Sequence, residues 1–262
     1  MLAQEAFSEA AAVAVCLLGS FRVLKHGAPV SLRPGGKGEQ LLGQLALRSP
    51  DGMPRETLLA HLWPETEIAL AAQSLNTLVY SLHRLLGDAL EGRSPVLTRA
   101  GRYVLNAGAG VQVDIDAFDI AARDGDRLSG LGDHIGAVES YRGAVALYAG
   151  DLAFGSDILA LVERERLRSR YLLVLAHLAD THFESSEFDR ALECALDLLS
   201  HDPCREDAHR MAMRCFVRLG VRSQALRQYR ICRDVLDMEF GAVPEAATES
   251  LYERIRLDPA NA

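Results

Sequence analysis

The stretch that decides the fold begins with PRETLLAHLW (54–63), breaks at Pro64 and continues as IALAAQSLNTLVYSLHRLLG (68–87). Pro54 stands at a favourable first-turn position, where its missing N–H is not needed. Pro64 stops the first helix. The pattern therefore predicts a short helix, a turn and a longer helix with one polar face, which is the layout of a DNA-reading helix-turn-helix.

The longer predicted helix divides into an apolar and a polar side. Its apolar stripe consists of Leu75, Leu78, Val79, Leu82, Leu85 and Leu86, and should pack inward. The opposite side holds Gln73, Thr77, Tyr80 and Arg84, with Asn76 and His83 at its margins. Gln, Asn and Arg side chains can distinguish adenine from guanine in the major groove, so this face suits base readout. A solvated helix face with ordinary polar residues is the alternative, and spacing alone does not exclude it.

The flanking sequence predicts small strands and one more helix. The run VAVCLLGSFRVLKHGAPVSL (13–32) is typical of short strands joined by turns, and KGEQLLGQLALR (37–48) of a helix that starts near Gly36. SPVLTRAGRYVLN (94–106) predicts a hairpin around Ala100-Gly101 with Arg99 and Arg102 at its tip. Beside a recognition helix such a hairpin is a wing, whose arginines can reach backbone phosphate or the minor groove. Alternatively, the two arginines only flank an exposed turn.

The second half of the chain differs in charge and in pattern. Residues 1–110 contain 10 Lys+Arg and 9 Asp+Glu, whereas residues 111–262 contain 18 and 27. An acidic body repels phosphate, so nucleic-acid contact should fall on the first half. Ala191 and Ala225 lie 34 residues apart, which is the tetratricopeptide period, and a looser copy contains Ala137. Tyr141 and Tyr229, each four residues after such an alanine, should fill space between paired helices.

Catalytic, metal and membrane signals are weak. GGKGE (35–39) departs from a phosphate-binding loop, no HExxH or GxSxG is present, and His177 and His182 fall on different helix faces. We therefore expect no enzyme activity, no cofactor and no metal. Five cysteines without a CxxC pair indicate reduced cytoplasm, and no apolar run reaches membrane-spanning length.

The densest basic cluster is ERERLRSR, which contains Arg164, Arg166, Arg168 and Arg170. Alternate spacing spreads these arginines around a helix, and the interleaved glutamates favour a salt-bridged surface. The alternative is an anion or cyclic-nucleotide site between the two domains, because arginine binds phosphate bidentately.

Several segments together carry a family resemblance: LLGSFRV (17–23), LLAHLWP (58–64), SLNTLVYSLHRLLGD (74–88), LTRAGRYVLN (97–106) and VDIDAFD (113–119). Over about residues 13–258 the chain resembles regulators of the Streptomyces antibiotic regulatory protein type. The resemblance implies an OmpR-like winged helix-turn-helix domain of α+β class at 13–108, followed by an all-α, tetratricopeptide-like bacterial transcriptional activator domain at 111–258. We expect residues 1–110 to fold alone.

The resemblance also implies how the parts work. The recognition helix would bind double-stranded promoter DNA, often at direct repeats, through Gln73, Asn76, Thr77, Tyr80 and Arg84, with Lys37 on phosphate at a helix start. The helical domain would form a homodimer or contact RNA polymerase, and any small effector stays unknown. Relatives often carry more arginines on the recognition helix, so affinity for DNA alone should be modest. A different class of function is a helical-repeat adaptor or cyclic-nucleotide sensor whose winged domain does not read DNA.

Overall fold

The computed structural model describes Phe7 and residues 11–257, and within them the N-terminal part is a winged arrangement of helices and small sheets. Its elements are β1 (Val13–Cys16), β2 (Arg22–Lys25), β3 (Ala28–Pro29), α1 (Lys37–Leu47), β4 (Met53–Pro54), α2 (Arg55–Leu62), α3 (Ile68–Leu86), β5 (Val96–Arg99), β6 (Arg102–Leu105) and β7 (Val111–Val113). One sheet has the order β3-β2-β1-β7, and the other has the order β4-β6-β5. The predicted helix-turn-helix and hairpin are therefore present.

The remaining elements are helical. They are α4 (Asp114–Gly130), α5 (His134–Leu147), α6 (Ile158–Glu184), α7 (Phe188–His201), α8 (Glu206–Arg218), α9 (Arg222–Phe240) and α10 (Ala246–Leu257). The predicted fold class, a winged α+β part followed by tetratricopeptide-like helices, is confirmed. Among the residues described, no helix is both long and apolar enough to cross a bilayer.

The chain forms two compact units that do not follow the order of the sequence. The first unit contains the described residues up to Arg123 together with Gly143–Arg168. The second contains Asp124–Arg142 together with the described residues from Ser169 onward. The domain limits predicted from the sequence, 13–108 and 111–258, remain a proposal.

A buried carboxylate completes the first unit. The Asp114 side chain is fully buried and accepts hydrogen bonds from the backbone N–H of Leu17 (2.8 and 2.9 Å) and of Leu18 (2.8 Å). These N–H groups follow directly after β1, beside which β7 pairs in parallel. The loss of solvation on burial raises the pKa of Asp114 to about 6, against the opposing effect of the N–H donors.

The first unit includes elements from beyond residue 110, and the expectation that residues 1–110 fold alone stays a prediction. β7 lies beyond residue 110 and supplies an outer strand of the first sheet. Phe154 also packs on this part: a Cβ at Gly43 in α1 would lie 2.2 Å from its ring, so only glycine permits the close approach. Phe118 in α4 is likewise fully buried. Sequence periodicity showed which faces are apolar, but not which distant segments cover them.

The repeat alanines of the second unit pack as the 34-residue spacing predicts. Ala191 and Ala225 are fully buried, in α7 and α9 respectively. Tyr229 stacks on Tyr252 of α10 with ring centroids 3.9 Å apart, and its hydroxyl donates to Glu249. Small side chains thus let paired helices approach, while the tyrosine fills the space beside them.

The dependence on distant segments predicts the behaviour of fragments. A fragment of residues 1–110 lacks β7, Asp114 and Phe154, so we expect it to show no cooperative thermal transition by circular dichroism. A fragment of residues 1–168 contains the whole first unit and should unfold cooperatively. A cooperative transition in the 1–110 fragment would show that its core is complete without these residues.

The buried carboxylate predicts a dependence of stability on pH. Because its folded-state pKa is raised from 3.8 to about 6, the folded chain holds this proton more tightly than the unfolded chain. The stability that Asp114 contributes therefore declines as pH rises from about 4 to about 6. Relative to Asp114→Asn, the wild type should lose roughly 2–3 kcal/mol of unfolding free energy across this range.

Urea unfolding of both proteins at several pH values measures the difference. Asp51→Asn, which changes an exposed carboxylate, is the control and should follow the wild type. A wild type that gains stability over the variant as pH rises would mean that the N–H donors outweigh burial.

Candidate nucleic-acid interface

The helix-turn-helix is held in place by the wing sheet and by its own leucines. β4 pairs with β6 and leads directly into α2, where the Arg55 N–H donates to the Gly101 carbonyl (3.3 Å). Leu58 and Leu62 of α2 are fully buried. On α3 the buried side chains are Ala71, Leu75, Leu82 and Leu86, whereas Leu78 and Val79 are half-buried. Leu85 departs from the predicted stripe, since it is 37% exposed.

The five predicted base-reading residues form one exposed surface, which we call the polar ridge: Gln73, Asn76, Thr77, Tyr80 and Arg84. The ridge extends from Gln73 to Arg84, eleven residue steps along the helix or about 16 Å. The Thr77 hydroxyl donates to the Gln73 carbonyl (3.0 Å), and its oxygen can still accept a hydrogen bond. In the part of the chain that the structure describes, the other four ridge side chains have no hydrogen-bond or ion-pair partner. The ridge can therefore offer its donors and acceptors to a ligand.

The two wing arginines make different contacts. Ala100 and Gly101, at the hairpin tip, both have positive φ, of 47° and 76°. Arg99 is exposed, and no partner for it exists among the described residues. Arg102 instead donates to the backbone carbonyls of Asp51 (2.9 Å) and Gly52 (2.8 Å). Its guanidinium therefore ties the wing to the loop before β4, a role that sequence spacing did not reveal.

Lys37 lies at the start of α1, as predicted, and its contacts place it near the end of α2. Its ammonium donates to Gln40 Oε1 (3.1 Å) and sits 5.9 Å from the centre of the Trp63 ring. No side chain caps this helix start at Gly36. Glu39 lies in the same first turn and accepts the Gly35 N–H (3.3 Å), so this helix start carries one charge of each sign.

The start of α3 is negatively charged. Glu65 and Glu67 in the turn and Glu56 in α2 are all exposed, and none has an ion-pair partner within the described ranges. Carboxylates repel phosphate, so DNA contact should fall on the ridge and not on this end. Sequence reasoning did not single out these glutamates.

The arginine cluster of α6 has its donors engaged within the protein. Arg164 donates to the Leu152 (2.9 Å) and Gly155 (3.3 Å) carbonyls. Arg166 binds both Glu163 and Asp119. Arg170 binds Asp126, and Arg168 is half-buried on the same helix. These contacts are those of a salt-bridged surface, and the anion or cyclic-nucleotide site stays a prediction.

Comparisons with known proteins give a family and a fold. Residues 113–256 match the model of the bacterial transcriptional activator domain. Mycobacterium tuberculosis EmbR, solved in complex with a low-affinity phosphopeptide, is similar with a TM-score of 0.74 and 21% identity, over 96% of this chain and 68% of that one. This likeness shows the fold. No curated protein matches the chain.

Two tetratricopeptide structures are similar with low scores. The C-terminal TPR-containing domain of a Plasmodium falciparum FK506-binding protein has a TM-score of 0.43 and 13% identity, over 56% of this chain and 93% of that one. The TPR2B domain of yeast Sti1, in a complex with pHsp70, has a TM-score of 0.39 and 12% identity, over 53% and 96%. The repeat character of the second unit rests on its own buried alanines.

The different contacts of the wing arginines predict different effects of their removal. Arg102→Ala deletes two charge-assisted hydrogen bonds and should lower the free energy of unfolding by about 1–2 kcal/mol. Arg99→Ala removes an exposed side chain and should change it by less than about 0.5 kcal/mol. Urea denaturation of both variants measures this. Equal losses would contradict the assignment of Arg102 to holding the wing.

Proposed function

The chain belongs to the family of the bacterial transcriptional activator domain and is a transcriptional regulator of the Streptomyces antibiotic regulatory protein type. From that premise, we propose that it activates transcription by placing α3 in the major groove of promoter DNA. The observation that carries the proposal is the polar ridge. Its side chains are exposed, while the opposite face of α3 is buried. The helix can therefore enter a groove without losing its packing.

The chemistry of the ridge fits base edges. The Arg84 guanidinium can bind guanine O6 and N7 together, and the amides of Gln73 and Asn76 can bind adenine N6 and N7. Tyr80 supplies a hydroxyl, and the Thr77 methyl group can contact thymine. Four different side-chain chemistries along about 16 Å of helix would read several neighbouring base pairs.

Contacts to the DNA backbone would come from groups beside the ridge. Arg99 extends from the hairpin tip and can reach phosphate or the minor groove. Lys37, at the uncapped start of α1, can bind phosphate with the help of the helix dipole. Arg102 would act indirectly, by holding the wing that carries Arg99.

The charge of the chain limits affinity and favours multivalent binding. The first 110 residues are nearly neutral, and the remainder is acidic, so one protomer gains little from long-range attraction to DNA. Two protomers on direct repeats would bind far more tightly through effective concentration. In this proposal the helical domain, at 111–258, holds protomers together or contacts RNA polymerase, while residues 13–108 read DNA.

Salt dependence and one substitution test the proposal. Affinity of the full chain for duplex fragments of its own promoter regions should fall steeply as salt rises from 50 to about 200 mM, because bound phosphates release counterions. Arg84→Ala should weaken specific binding by about 1–3 kcal/mol, or roughly 5- to 150-fold. Fluorescence anisotropy with labelled duplexes measures both quantities.

A matched control separates base contact from charge. Arg123→Ala also removes one positive charge from the first unit, but Arg123 lies on α4 and bonds to its own helix at the Asp119 carbonyl. This variant should bind DNA as the wild type does. A folded wild type that is indifferent to salt and to Arg84→Ala would instead favour the adaptor function, in which the winged part does not read DNA.

A further inference from the structure

One side of α8 carries arginines that the proposed DNA contact does not use. Arg210, Arg214 and Arg218 recur every fourth residue, so they line one face of the helix. Arg210 pairs with Glu245 and also bonds to the Thr248 hydroxyl (3.0 Å). Arg214 and Arg218 have no carboxylate within ion-pair distance in the described residues of this acidic chain.

Aromatic rings hold these two guanidinium groups. Arg214 lies over the Phe183 ring, 5.1 Å from its centre, and Arg218 lies over Phe188 at 5.2 Å. The two rings touch edge to face, with centroids 5.3 Å apart. Phe183 also packs against the buried cluster around Ala212, so the platform under the arginines is fixed to the core of the second unit.

Stacking uses the face of a guanidinium and leaves its N–H edges available. A stacked arginine can still donate two parallel hydrogen bonds to a carboxylate. Arg214 Nε is buried from solvent and has no hydrogen-bond acceptor among the described residues. The Nε is enclosed by the protein, so a ligand from outside would bind the two terminal nitrogens of this guanidinium.

The surroundings of Arg214 form a small polar depression. Two arginines, Arg210 and Arg214, and two carboxylates, Asp180 and Asp207, line a cavity of about 90 Å³. Asp180 lies too far from Arg214 to form an ion pair. Burial raises the pKa of Asp180, and the positive charge of Arg214 partly opposes this effect. The guanidinium therefore keeps its donors open even with an acid nearby.

We propose that Arg214 and Arg218, on their phenylalanine platform, bind the carboxylates of an acidic segment of a partner protein. Four residues of helix separate the two arginines by about 6 Å. Alternate side chains of an extended peptide are about 6.6 Å apart, so the matching sequence has acidic residues at every second position. This site is independent of the proposed DNA contact.

A peptide is favoured over a nucleic acid by the charge around the site. Residues 111–262 carry 27 Asp+Glu against 18 Lys+Arg, so a long polyanion would meet repulsion on every side. A short peptide needs to satisfy only the two arginines. The planar carboxylate also matches the guanidinium edge bidentately.

Anisotropy titrations of the full chain with a fluorescein-labelled seven-residue peptide of Ser, with Glu at its third and fifth positions, test the proposal. The wild type should bind it, and should not bind the same peptide with Gln at both positions. Arg214→Gln and Arg218→Gln should each weaken binding about tenfold, as expected for the loss of one charge-assisted pair. Phe188→Leu keeps both charges but removes a stacking ring, and should weaken binding several-fold.

The controls distinguish a built site from general charge attraction. Arg230→Gln removes an exposed arginine of the same unit and should leave peptide affinity unchanged. Arg218 is exposed, so its variant should keep the wild-type melting curve. Three results would overturn the proposal: no binding by the wild type, equal weakening by Arg230→Gln, or tighter binding of a twelve-nucleotide single-stranded DNA whose affinity depends on Arg214.

Discussion

The first unit depends on one buried carboxylate. Asp114 accepts hydrogen bonds from the N–H groups of Leu17 and Leu18 just where β1 ends. Without this side chain, those two N–H groups would lose their partner. Because Asp114 is also the first residue of α4, the same contact fixes the start of the helical segment against the N-terminal sheet. The segment matched by the activator-domain model begins at residue 113, so its opening residues complete the fold of the part that precedes it.

That constraint has a consequence for the helix-turn-helix. The apolar face of α3 and the wing sheet need a stable platform, since a recognition helix reads bases only if its orientation is defined. Pairing of β4 with β6 and the bonds of Arg102 to the loop at 51–52 join wing and helices. The close approach of α1 to Phe154 at Gly43 adds a contact from a segment more than 100 residues away. The helix that carries the exposed ridge thus belongs to a unit in which segments distant in the sequence pack together.

The sequence predicted what periodicity and turn chemistry report, and missed what depends on tertiary contacts. The two faces of α3, the hairpin at Ala100-Gly101 and the 34-residue spacing of Ala191 and Ala225 follow from local pattern. The position of Lys37 beside Trp63 and the bonds of Arg102 do not, because each partner lies tens of residues away. The same holds for completion of the first sheet by β7, a strand that lies beyond the change of composition near residue 110.

Some arginines are bonded within the fold and others have unbonded N–H groups, a difference that composition does not show. Arg102 and Arg164 donate to backbone carbonyls, and Arg166 binds two carboxylates, so their charges are used within the fold. Four other arginines have guanidinium N–H groups with no acceptor among the described residues: Arg84, Arg99, Arg214 and Arg218. The first two lie in a nearly neutral part of the chain and the last two in an acidic one. Since long-range repulsion grows with the length of a polyanion whereas bidentate pairing is local, the ligands proposed for the two pairs differ: duplex DNA for the first pair and a short acidic peptide for the second.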